Sequence, residues 1–97
     1  MVDATTWHIL DATADDWESL DQIEKHVQCW CGPIEREAIA AVVCSLLGVG
    51  LFDEMQGRDV VSADVLDRPI EFWFRMTERG REFWESAALN YHADGRP

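Results

Sequence analysis

Positive charge is scarce in this sequence. Eight lysines and arginines stand against 19 aspartates and glutamates, a net charge of −11 over 97 residues. A surface of that sign repels nucleic-acid phosphates and anionic lipid headgroups at long range, and it favours partners with basic patches. A long hydrophobic run is also missing. The longest uncharged apolar stretch, residues 38–52, falls short of the ~20 residues that cross a bilayer. Glu35, Arg36 and Glu37 precede it and Asp53 and Glu54 follow, so it reads as a buried core helix and no membrane association is expected. The chain does not open on a charged-then-apolar leader signature. Its three cysteines are an odd set, and reduced thiols in a cytoplasm are the expectation. No Gly-rich phosphate loop, H-E-x-x-H or G-x-S-x-G occurs. The carboxylates form no catalytic pair by spacing: Asp15-Asp16 and Asp53-Glu54 read as solvated turn and strand-end residues. Neither enzyme activity nor a cofactor is expected.

What the chain does have is a hydrophobic share of 47%, recurring along most of its length, which fits one folded domain despite the charge. Residues 1–97 are read as that single domain, with a core from about 5 to 91 and a flexible tail over 92–97. A first helix covers residues 4–14, with Ile9, Leu10 and Thr13 at helical spacing. Asp15-Asp16-Trp17 is a turn, with Trp17 folded back on the core. Ser19-Leu20-Asp21-Gln22 matches a capping box, in which a serine and a glutamine satisfy free amides at a helix start. The second helix runs to about Gln28 on Leu20, Ile23 and Val27. Residues 29–32 form a turn, Pro33 suits the first position of a third helix, and Gly50 is its left-handed stop. Phe52-Asp53-Glu54 begins a strand. A loop over 56–69 carries Val60, Val61, Val65 and Leu66, with room for a short extra strand. Residues 70–76 alternate as a second strand, Ile70, Phe72, Phe74 and Met76 facing one way and Glu71, Trp73 and Arg75 the other. Thr77 caps a last helix ending near Tyr91, whose apolar face includes Phe83, Trp84, Ala87, Ala88 and Tyr91. That face serves either dimerisation or packing on the first helix.

The order helix, helix, helix, strand, loop, strand, helix resembles the winged-helix (winged helix-turn-helix) family, an α+β, mainly α fold with a three-helix core, a β-hairpin wing and a C-terminal helix. The resemblance covers roughly residues 5–84. Leu46-Leu47-Gly48-Val49-Gly50-Leu51-Phe52 and Phe74-Arg75-Met76-Thr77-Glu78-Arg79-Gly80-Arg81 look like segments of bacterial regulators of the multidrug-resistance and phenolic-acid repressor type. In those regulators the glycine after the threonine cap allows close packing, the third helix enters the major groove, and the wing touches the backbone or minor groove. Such a likeness implies a fold; function has to be argued from the surface.

Carried onto this chain, that geometry puts Ile39, Val43, Leu46 and Leu47 on the core side of the third helix. It turns Glu37, Ala40, Ala41, Cys44, Ser45 and Gly48 outward. Base readout needs Arg, Lys, Asn or Gln with bidentate reach, plus cationic phosphate anchors. The outward face offers neither. The small side chains instead admit close approach of another backbone. Glu37, Ala41, Cys44, Ser45 and Gly48 are therefore the expected protein-contact face or homodimer seam, unless the wing's Val60, Val61, Val65 and Leu66 cover it. Trp30 and Trp73 are candidate anchors for a partner. The alternative is a DNA-binding transcriptional regulator, in which a dimer gathers Arg36, Arg58, Arg68 and Arg75 along one surface.

His26, Cys29 and Cys31 fall close together, and thiolates with an imidazole are zinc-type ligands. A C-x-C with one upstream histidine is not the familiar paired-cysteine spacing, however, and free thiols are the preferred reading. A disulfide between Cys29 and Cys31 would close a ring too tight for the bond's geometry.

Overall fold

The computed structural model describes residues 3–93, with side chains over 3–87. The elements run α1 (Ala4–Ala12), α2 (Leu20–Cys31), α3 (Arg36–Gly48), β1 (Phe52–Glu54), α4 (Ser62–Asp67), β2 (Phe74–Met76) and α5 (Glu78–Ala93). Three helices followed by two antiparallel strands make this a small α+β, mainly helical domain.

Each helix starts and stops for a local reason. The Asp3 carboxylate accepts the Thr6 amide at 2.7 Å and caps α1. The helix ends two residues before the expected Ala14, where the buried Thr13 hydroxyl donates to the Leu10 carbonyl at 2.9 Å. Gln22 reaches back to accept the Ser19 amide at 3.0 Å, the returning half of the capping box. Leu20, Ile23 and Val27 then line the buried side of α2. The turn expected over residues 29–32 is instead the last turn of α2. Nothing before Gly32 breaks the helix, and Gly32 leaves it at φ 81°.

Pro33 does not begin α3. Glu35 remains extended (φ −64°, ψ 137°), and its carbonyl accepts the Ala38 and Ile39 amides, so the helix begins at Arg36. Its end is a Schellman turn. Gly50 sits at φ 81°, the Leu51 amide reaches the Leu46 carbonyl at 2.9 Å, and the Gly50 amide reaches Leu47 at 3.2 Å.

The strands pair Phe52 with Met76, Asp53 with Arg75 and Glu54 with Phe74. Phe74 turns its own amide and carbonyl to the other edge, exchanging both backbone hydrogen bonds with Glu18 at 2.8 and 2.9 Å. The second strand is shorter than the alternation over 70–76 suggested. The Glu71 carbonyl is taken by the Arg58 side chain and the Ile70 carbonyl by the Trp73 indole, while the Glu71 amide bonds Arg68. Residues 69–71 are thereby folded as a turn and Ile70 is 70% exposed. The extra strand expected in the loop is a helix, α4, which packs on α3 with Val65 fully buried.

The core joins Ile9, Leu10, Leu20, Ile23, Val27, Ile39, Val43, Leu46, Phe52, Val65, Phe72, Phe74 and Met76. Ala40, expected on the outward face of α3, is fully buried within it, and Leu47, expected in the core, only half enters it. Phe83, on the apolar face of the last helix, is 41% exposed. Trp17 is half-buried beneath the Arg75 guanidinium. The last helix runs to Ala93, past the expected end at Tyr91. The Ala88 and Tyr91 side chains and residues 94–97 of the expected tail lie outside the described set.

Candidate interaction surface

Along α3, Glu37, Ala41, Ser45 and Gly48 are exposed in one stripe, which Val49 extends at 58% exposure. Arg36 and Glu37 are the charged residues of this helix. Cys44 differs from the other expected face residues. It is half-buried, its thiol shares a hydrogen bond with Ser62 at the start of α4, and burial pushes its pKa up against that bond. A protonated, screened thiol is a poor nucleophile. Helix α4 thus covers the Cys44 side of α3 through Val65 and leaves the 37–41–45–48 stripe open. Val61, at the rim of α4, is itself 61% exposed.

The four arginines expected to meet phosphates lie in three separate places. Arg36 donates from Nη2 to Asp21 and to Glu24 (2.6 Å), and from Nε to Glu24 at 3.1 Å. This ties α3 back to α2. Arg58 donates from Nε and Nη2 to the two oxygens of Glu54, at 3.1 and 3.0 Å, and lies 4.4 Å above the Phe72 ring. Glu54 is only 4% exposed. Burial alone would raise its pKa, but the Arg58 side chain and the Arg58 and Gln56 amides outweigh that and hold it below the ordinary carboxylate range. Arg68 shares the Phe72 ring from 5.4 Å and bonds Glu71 at 2.9 Å. Arg75 lies on the far edge of the sheet, 4.5 Å from the Trp17 ring.

The two candidate anchors behave differently. Trp73 is half-buried, and its indole braces a turn by donating to the Ile70 carbonyl at 3.0 Å. Trp30 is 65% exposed, with one ring face laid on His8 at 5.5 Å and 6°.

His26, Cys29 and Cys31 do not form one group. Cys29 is exposed, and Cys31 is half-buried with a hydrogen bond to Thr5, its pKa raised by burial despite that bond. His26 turns to α1 instead, where its Nε2 donates to Asp11 at 3.0 Å. His8 stands one helical turn before Asp11 on the same face. Among the described residues, His8, Asp11 and His26 are the set whose donor atoms all lie within 4.8 Å of one another. The H-x-x-D spacing on α1 was visible in the sequence; its pairing with His26 depends on how α1 and α2 pack.

Searches against protein-family models, curated proteins and solved structures found no match to this chain.

Proposed function

We propose that this chain is a non-enzymatic winged-helix recognition domain, regulatory in role, that binds a protein partner through the open stripe of α3. The element order supports the fold reading: three helices, two antiparallel strands and a helix capped by Thr77. The observation that carries the functional reading is the engagement of Arg36. Arg36 opens the helix that carries the stripe, and its guanidinium is held between Asp21 and Glu24. Phosphate binding there would require breaking those pairs in a chain of net charge −11. A basic protein surface meeting the stripe faces no such obstacle.

The test is a fluorescence-anisotropy titration with duplex DNA at low salt, where phosphate attraction is strongest. No binding is expected. The second reading, a DNA-binding regulator, is favoured by the same order of elements. It requires retention that weakens with salt, with a slope that falls by about one for each contacting arginine replaced.

A further inference from the structure

We propose that His8, Asp11 and His26 form a binding site for one borderline divalent transition ion of the zinc class, clipping α1 to α2. This site is independent of the α3 stripe. Two imidazoles and a carboxylate are a donor set suited to zinc, cobalt or nickel, whereas magnesium and calcium prefer oxygen donors alone. The geometry is close to what an ion needs. Bonds of about 2.0–2.2 Å place neighbouring donors about 3.3–3.6 Å apart in a tetrahedron. Here the Asp11 and His26 donors are already 3.0 Å apart and all three fall within 4.8 Å, so small side-chain rotations bring three donors to one ion, with water as the fourth ligand. The His8 and His26 rings are 6.0 Å apart at an angle of 51°. Two imidazoles sharing one ion put their ring centres roughly 5–6 Å apart.

A second observation comes from the His8 ring. Its Nδ1 is buried and has no hydrogen-bond partner among the described residues, a state that a folded protein normally avoids. Trp7 meets the ring edge-on at 5.0 Å and Trp30 stacks on it, so its orientation is fixed by packing. A ligand needs that fixed orientation, and elsewhere a second hydrogen bond supplies it. All three residues are partly exposed, leaving an entry path from solvent.

The test titrates metal-stripped full-length chain with Zn²⁺ alone, in competition with a chromophoric chelator. One ion per chain is expected, with a thermal midpoint raised by about 10 °C or more at a hundredfold excess over Kd. His8→Ala and His26→Ala should each weaken binding at least tenfold. Substituting Cys29 and Cys31 together by serine should leave it unchanged. Co²⁺ should give a visible d–d spectrum without a thiolate charge-transfer band. His8→Ala leaves the Asp11–His26 bond in place, so it remains informative if His26→Ala fails to fold. Absence of stoichiometric Zn²⁺ binding would overturn the site, as would binding that survives His8→Ala but is lost with the cysteines.

Discussion

The two ends of the strand pair are held by different physics. At one end, the Gly50–Leu51 corner and the start of α5 are joined by backbone contact. The Thr77 amide reaches the Leu51 carbonyl at 3.0 Å, the Thr77 hydroxyl donates to Gly50 at 2.7 Å and accepts the Gly80 amide at 2.9 Å. Gly80 lies so close that a Cβ there would stand 2.1 Å from the Leu51 oxygen. At the other end, residues 55–73 loop away and return, and their base is organised by one buried carboxylate. Glu54 accepts the amides of Gln56 and Arg58 as well as the Arg58 guanidinium. The first junction depends on steric fit and is indifferent to pH. The second depends on ionisation.

The sharpest way to break the comparison is Gly80→Ala. The added methyl meets backbone that cannot yield without moving the Schellman corner, and a loss of about 3 kcal/mol is expected by urea denaturation. Glu54→Gln should cost about 2 kcal/mol, because charged hydrogen bonds are replaced by weaker ones. This variant also separates the two junctions by pH. Since the folded pKa of Glu54 is depressed, its stabilisation is fully present above the ordinary glutamate range and disappears as pH falls through the folded value. Wild-type stability should therefore decline on acidification more steeply than that of the Glu54→Gln variant, which denaturation at pH 7 and pH 3 would reveal. Gly80→Ala should leave that slope unchanged. Thr77→Ala removes one cap and should cost about 1 kcal/mol, read as a lower thermal midpoint. Ser45→Arg, on the open stripe, should change stability by no more than about 0.5 kcal/mol. If copies of the chain meet there, sedimentation velocity should show the association lost in this variant.

The same contrast explains what the sequence made legible. The steric junction announces itself locally: Gly50 as a helix stop, and Thr77 with Gly80 three residues on, are patterns that single segments display. So is the capping box at Ser19 and Gln22. The ionic junction does not. Whether Ile70 and Phe72 continue a strand is decided by Arg58, which takes the Glu71 carbonyl from across the loop, and no strand-length window contains both partners. In the same way residues 60–67 carry the β-branched Val60, Val61 and Val65 of a strand, yet 62–67 form the helix α4, which buries Val65 against α3. Among the site residues, the openness of Glu37, Ala41, Ser45 and Gly48 followed from helical spacing. The withdrawal of Cys44 beneath Ser62 and the pairing of His26 with Asp11 depended on tertiary docking.

One consequence concerns how the chain comes to be folded. Phe74 exchanges both its backbone hydrogen bonds with Glu18, just ahead of α2, while standing opposite Glu54 in the strand register. During synthesis the helices can gather as soon as they leave the ribosome, yet the backbone pairing of Glu18, ahead of α2, waits until the residues around position 74 emerge. Closure is thus withheld until most of the polypeptide has been made, and a nascent chain stalled before that point would expose the apolar side chains that Phe74 later shields.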